Sequence, residues 1–413
     1  MSSNHHTPSK TVALAATQVR LGSAAKGLAA FLGVVGVAGL AVGAVLGWIR
    51  GDGLQYFLHS YLYNYCFVLS IALGSLCFVV LQHATRAGWS TTVRRLAEIF
   101  AANFGLLAIL ALPILLTTVF GHYNIYEWAK PDAAKESHAL AQKLPYLNPT
   151  FFGIRAIFYF AVWIFLGRFY LTRSLKQDST GDVGLTLRME RWSYASILLF
   201  ALTVTFAAFD WLMSLTPEWY STIFGLYFFS GGMVGAMAVL ILAAVALQST
   251  GRLTEAITVE HYHDLGKLLF AFVVFWGYMA FSQYLLIWYA NMPEETHWFL
   301  LRQNGDWKWV SVALLFGHLF MPFVALLSRH VKRQKYLLAF WAVWMLAMHW
   351  LDLYWVVMPS LKTERPPCGP IDVCLLIGFA GLYAASVMLK MSVYPLVPLA
   401  DPRLEEALAF ENA

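Results

Sequence analysis

The sequence predicts an all-α integral membrane protein of about ten transmembrane helices, arranged as two four-helix bundles plus two peripheral helices. Three observations predict it. Of the 413 residues, 59% are hydrophobic and only 12% are charged, roughly half the charged share of a soluble domain. Ten apolar runs reach the ~20 residues that a helix needs to cross a bilayer. An open sheet cannot satisfy its backbone in lipid, so runs that span must be helices.

The runs fall at 28–49, 61–84, 95–120, 150–173, 193–214, 220–248, 265–290, 308–328, 336–357 and 371–390. Residues 1–27 are polar and mildly basic, without a cleavable signal, and read as a cytoplasmic tail ahead of a membrane domain at 28–390. Residues 391–413 read as a second cytoplasmic tail. The first span carries Gly39, Gly43 and Gly47, a ridge of small residues that lets another helix approach, either within the chain or from a partner subunit. Pro113 in the third span and Pro322 in the eighth are expected to kink them. The fifth and ninth spans each reach an aspartate, Asp210 and Asp352, after a similar length of chain. Spans two to five and six to nine therefore read as two repeated four-helix units, each delivering one carboxylate to the same depth.

Lys and Arg set the orientation. Next to the termini and the loops on their side lie eighteen of them, from Lys10, Arg20 and Lys26 to Lys390 and Arg403. The other side has eight: Arg50, Lys130, Lys135, Lys143, Arg302, Lys308, Lys362 and Arg365. By the positive-inside rule both termini are cytoplasmic. Arg155 and Arg168 fall within the fourth span and are not counted. The formal net charge of +5 is scattered over loops, which gives no reason to expect nucleic acid as a partner. Cys66, Cys77, Cys368 and Cys374 have neither zinc nor disulfide spacing.

With orientation set, the intramembrane polar groups fall into levels. Asp210, Gln283, Tyr284, His349 and Asp352 lie toward the outer face, with Arg155 entering there and His59, Tyr61, Tyr63 and Tyr65 opening the second span. An aspartate at the centre of a membrane helix costs roughly 2.5–3.5 kcal/mol on insertion scales. His349 and Asp352, at i and i+3, share one helical face. They read either as a proton-handling pair or as a structural hydrogen-bonded pair completed by Arg155. At the inner face, Asp264 sits near a helix start, where the dipole favours it. Glu98, flanked by Arg94 and Arg95, is either an inner proton mouth or a salt-bridged structural group. His318 lies mid-membrane on the span next to that of His349, a pairing that would serve bis-His haem. The chain has no Walker loop, no GxGxxG unit and no HExxH, so nucleotide chemistry and zinc hydrolysis have no support and no metal ligand is expected.

Four stretches carry a likeness beyond these patterns: FDWLMSLTPEWYSTIFG (209–225), HDLGKLLFAF (263–272), FSQYLLIWYANMPEETHWF (281–299) and HWLDLYW (349–355). Together they resemble the second NrfD-like membrane subunit of bacterial alternative complex III, within the polysulfide-reductase membrane-subunit superfamily, over roughly residues 28–390. The resemblance implies a subunit, without a cofactor of its own, of a quinol:electron-acceptor (cytochrome c) oxidoreductase in the bacterial cytoplasmic membrane. It implies as partners a sibling NrfD-like subunit, a periplasmic iron-sulfur subunit and haem c subunits, with menaquinol or ubiquinol as the membrane substrate. It assigns the subunit a proton-conducting or scaffolding role, and it carries over Asp210, His349 and Asp352 as proton-path residues. Two other classes stand beside it: a haem b-type quinol oxidoreductase subunit using His318 and His349, and an ion-coupled secondary transporter.

Overall fold

The computed structural model describes residues 14, 16–22, 24–121, 125–130 and 138–412. Lys10, Lys135, Ala413 and most of the 1–27 tail lie outside the described residues. Ten helices are long and apolar enough to cross a membrane, one at each expected place. They are α1 Ala24–Arg50, α2 Gln55–Ala84, α3 Thr91–Val119, α4 Pro149–Thr180, α5 Val183–Trp211, α6 Phe224–Ser249, α7 Val259–Ala290, α8 Trp307–Leu327, α9 Lys335–Val357 and α10 Pro370–Val393. Among the described residues there is no β-strand.

Cap chemistry, rather than hydropathy, bounds α4 and opens α5. The Asn148 side chain accepts from Phe151 N at 2.9 Å, with Pro149 in the first turn. Gly181 closes α4 at φ +66°, and Asp182 Oδ1 accepts from Gly184 N to open α5. The sequence places a loop between spans ending at 173 and beginning at 193. Instead, both helices run on until only residues 181–182 turn the chain. The apolar runs mark what lipid requires, and the helices continue past it with polar turns carrying Lys176, Arg188 and Arg191.

Two rings of four helices form the domain. In the first, α2, α3, α4 and α5 pack in order and α5 returns to α2; in the second, α6, α7, α8 and α9 do the same and α9 returns to α6. The rings join along α2, α5, α6 and α9. Helix α2 is buried along nearly its whole length. A Cβ added to Gly74 would sit 2.4 Å from Gly232 O, so α2 and α6 touch backbone to backbone.

The two remaining helices pack on each other at the periphery, α1 along α10. The glycine ridge of α1 is used internally: a Cβ on Gly39 would lie 2.7 Å from Cys374 O and 2.9 Å from Gly378 N, and one on Gly47 would meet Phe57. That contact occupies the face which the sequence also offered to a partner subunit.

The two proline-bearing spans are irregular in different ways. Helix α3 is interrupted at Ala102–Asn103, where Asn103 Nδ2 donates to Ile99 O and Phe100 O, and then runs unbroken through Pro113. In α8 a π-helical turn, Leu315–Phe320, directly precedes Pro322. Proline has no N–H for the His318 carbonyl and its ring crowds that oxygen, and widening the preceding turn relieves both.

The described segments nearest the two termini meet at one end of the bundle. Leu253 N donates to Gln18 O at 3.1 Å and Leu396 N to Val19 O at 2.8 Å. Residues 391–412 are not a free tail. Helix α10 continues to Val393; beyond it Asp401 is buried against Arg94, Arg403 pairs with Glu190, and Asn412 reaches Glu260. Asp401 adds a second charge partner to Arg94, which otherwise shares Glu98 with Arg95.

Candidate functional site

The expected outer polar layer resolves into two sites, one in each ring, both at the end of the bundle opposite the termini. In the first ring Asp210, near the end of α5, is fully buried. Arg155 of α4 donates to it twice, Nε to Oδ2 and Nη2 to Oδ1, both at 2.8 Å, and Tyr159 Oη adds a third bond at 2.7 Å. Arg155 Nη1 reaches back to Tyr146 O, and its plane lies over the Tyr146 ring at 3.9 Å. Both oxygens of the carboxylate are taken and the guanidinium is paired in two-pronged fashion, which makes the site a clamp between α4 and α5. The clamp extends inward as rungs seven residues apart on α4: Trp163 to Thr203, Tyr170 to Ser196 and Gln177 to Thr186, at 3.0, 2.9 and 2.7 Å.

The reading of Arg155 as the partner of His349 and Asp352 is therefore corrected. Two carboxylates lie at comparable depth, and composition cannot say which of them an arginine will meet. The first ring holds Arg155 on its own aspartate.

In the second ring, Asp352 of α9 is buried where α6, α7, α8 and α9 converge. Tyr227 of α6 donates to Oδ1, and Trp276 Nε1 of α7 donates to Oδ2 at 3.2 Å. Two donors and no acceptor suit an ionised carboxylate, yet no Lys or Arg among the described residues pairs with it. One turn earlier, His349 Nε2 is hydrogen-bonded to Ser70 Oγ of α2 at 2.8 Å, leaving Nδ1 without a partner. His318, which belongs to the π-helical turn of α8, lies flat on Trp276 with 3.7 Å between ring centroids, and neither of its ring nitrogens has a partner.

Glycines on α6 make the room. A Cβ at Gly231 would fall 2.9 Å from His349 Nδ1 and 3.7 Å from Asp352 Oδ2, and one at Gly235 would press on the imidazole. One donor atom each from His318, His349 and Asp352 lies within 4.8 Å of the other two. Three such donors equal in number the protein ligands of an open zinc site, but both oxygens of Asp352 already accept hydrogen bonds and Ser70 holds His349 Nε2. Haem fits worse, since Trp276 covers His318 and Ser70 holds His349, which leaves no slot for a porphyrin between them. What the arrangement suits is proton exchange. A carboxylate, two imidazoles and a phenol share one water-poor pocket, with unfilled hydrogen-bonding positions on both rings.

The other expected residues sit apart from this cluster. Gln283 Oε1 accepts from Ser221 Oγ at 3.2 Å, and Tyr284 packs edge-on against Phe299. Both line a cavity of about 860 Å³ between α7 and α8, which Tyr227 and Trp276 also line. Glu98 is held by both neighbours, Arg94 Nε at 3.3 Å and Arg95 Nε at 3.0 Å, so of its two readings the geometry favours the structural one. Asp264 pairs with Lys267 on the first turns of α7.

Several functional-looking groups were missed by sequence reasoning. Asp372, in the first turn of α10, accepts from Ser60 Oγ at 2.6 Å, Tyr63 Oη at 2.9 Å and Gly369 N at 2.8 Å, and also from Tyr56 Oη. Its signal was legible as an acid just inside a Gly-Pro helix start. Arg302, fully buried, has no carboxylate partner among the described residues. It donates to Trp298 O, Trp355 O and Val356 O, thereby capping the end of α9, and stacks on Trp298 at 3.4 Å. Tyr227 and Trp276 carried no signal, being two among 20 Tyr and 16 Trp.

Fold and site together define a multi-pass all-α membrane protein with an ionisable cluster buried inside its second four-helix ring. No protein-family model matches the chain, and no curated protein matches it.

Proposed function

We propose that the chain is the second NrfD-like membrane subunit of a quinol:electron-acceptor oxidoreductase of the alternative complex III type. In this reading it resides in the bacterial cytoplasmic membrane with both termini cytoplasmic, and brings no redox centre of its own. Its sibling membrane subunit, the periplasmic iron-sulfur subunit and the haem c subunits carry the electrons from menaquinol or ubiquinol to the acceptor. Its own contribution is a proton path whose outer portion is Asp352, His349, His318 and Tyr227.

The observation that carries the reading is the buried Asp352 carboxylate, hydrogen-bonded by Tyr227 and Trp276 with no cationic partner, beside imidazole nitrogens that have none at all. Ionisable groups inside a membrane are expensive, and they are kept where ions or protons move. The Arg155–Asp210 clamp takes the opposite role, holding the first ring in place. Lipid covers the apolar outer faces of the spans, and the four motif stretches quoted above support the family.

The test is Asp352→Asn in the assembled complex. Haem c and iron-sulfur subunits are expected to co-purify as with the unaltered chain. Quinol oxidation coupled to proton release should fall by about 10²–10⁴-fold, the usual contribution of an essential general acid–base group. Unaltered turnover and proton release would remove Asp352 from any proton path.

A further inference from the structure

We propose that the end of the α4–α5 hairpin nearest the termini holds the phosphate of an anionic phospholipid headgroup, gripped between Arg173 and Arg188 over an aromatic floor. The site stands whether or not the chain belongs to a quinol oxidoreductase. It begins with how the hairpin divides its charges. Asp178 turns inward to Arg95 and Glu190 to Arg403, while Asp182 caps Gly184 N. Arg173, Lys176, Arg188 and Arg191 remain on the outside, and among the described residues none of the four has a carboxylate partner.

Cations on one side of the bilayer are expected of any multi-pass chain; the posture of Arg173 is not. A long basic side chain at the end of a span ordinarily reaches out to water. Arg173 instead folds back along α4, toward the middle of the span, and lays its guanidinium over the Phe169 ring at 3.6 Å. Its one hydrogen bond is long, Nη1 to Phe169 O at 3.4 Å, and its Nε is buried without a partner. Across the hairpin the charge acting on it is a second cation, Arg188, rather than an acid. Two guanidinium groups with no anion between them lack a ligand, and the anion that a bilayer offers at this depth is the lipid phosphate.

The floor suits the rest of the lipid. Trp192 packs on Phe169 at 5.6 Å between ring centroids and on Phe165 at 6.3 Å, and both Trp192 and Phe165 are exposed. Deeper in the span the same two helices expose Phe158, Leu198 and Leu202, so acyl chains find apolar surface directly beneath the headgroup. Lys176 and Arg191, each one helical turn from Arg173 and Arg188, widen the positive field. That continuity from cations through aromatic rings to aliphatic side chains favours a lipid over an acidic protein segment, which would use the charges alone.

The test uses the full-length chain with whatever subunits co-purify, and native mass spectrometry to count bound lipid. The probes are phosphatidylglycerol and phosphatidylcholine of matched acyl chains. Retention of phosphatidylglycerol over phosphatidylcholine is expected, and inorganic phosphate should not displace it. Arg173→Gln and Arg188→Gln should each weaken that retention roughly fivefold, the contribution of one cation beside an anionic headgroup. Arg188 is exposed, so its variant serves should Arg173→Gln misfold. Arg365→Gln, an exposed cation at the opposite end of the bundle, should change nothing. Equal retention of the two lipids, displacement by inorganic phosphate, or indifference to both hairpin variants would overturn the proposal. Loss of an acidic co-purifying protein from those variants, with lipid retention unchanged, would overturn it too and give the patch to a protein partner.

Discussion

Arg155 and Asp210 form a two-pronged ion pair, Nε to Oδ2 and Nη2 to Oδ1, each at 2.8 Å, buried between α4 and α5. Neither Arg155 nor any other guanidinium approaches Asp352 in this way. The two aspartates that look equivalent in sequence therefore do different work. Asp210 neutralises a charge that has nowhere else to go, so Asp210→Asn should cost roughly 3–5 kcal/mol by stranding the guanidinium. Loss of the folded subunit from detergent extracts, read by size-exclusion chromatography, is the expected result.

Asp352→Asn should behave in the opposite manner. The amide oxygen can accept from Trp276, and the amide nitrogen can donate to Tyr227 once that hydroxyl turns its proton away. The variant is expected to extract and melt like the unaltered chain, and only function should change. A drop in melting temperature as large as that of Asp210→Asn would show that Asp352 is a second clamp.

Contact between the rings depends on Gly74 and Gly232. With Gly74 Cβ projected 2.4 Å from a backbone oxygen, no side-chain rotation relieves Gly74→Ala, and α2 must move off α6. A cost of about 1–3 kcal/mol is expected from such overpacking. The same substitution at Gly105, which has nothing within 4 Å, should cost no stability. Thermal melts of the two variants side by side make the comparison.

The C-terminal segment is part of the fold through Asp401, which pairs with the fully buried Arg94. Asp401→Ala leaves Arg94 sharing Glu98 with Arg95. The expected loss is near the lower end of the roughly 3–5 kcal/mol for breaking a buried pair, together with faster proteolysis after Val393. A cleavage pattern identical to that of the unaltered chain would place residues 394–412 outside the stable core.

Cys368 reports topology. It is the exposed one of the four cysteines, while Cys66 and Cys77 are buried. With both termini cytoplasmic, a membrane-impermeant maleimide should label Cys368 from the periplasmic side of intact spheroplasts. Burial, and after it the neighbouring Asp372 carboxylate, raise its thiol above the ordinary range. Because the thiolate is the nucleophile, labelling should be slow near neutrality and still accelerating above pH 9. Labelling only from inverted vesicles would reverse the orientation.

Lipid makes much of this protein legible from sequence. Each exposed residue in the hydrocarbon layer has to be apolar, so ten spans appear as ten runs. The cost of an intramembrane charge singles out Asp210, His349 and Asp352 wherever they fall. Periodicity adds the repeat and the shared face of His349 and Asp352, because both are local properties of one helix. Partner choice is not local. Arg155 could reach either aspartate until the ring closed on Asp210, and the α1 glycines could face any helix until α10 took them. The two donors that find Asp352 and the fold-back of Asp401 onto Arg94 likewise join residues far apart in the chain. Those pairings follow from how helices of nearly identical composition pack against one another, and only the tertiary structure decides that.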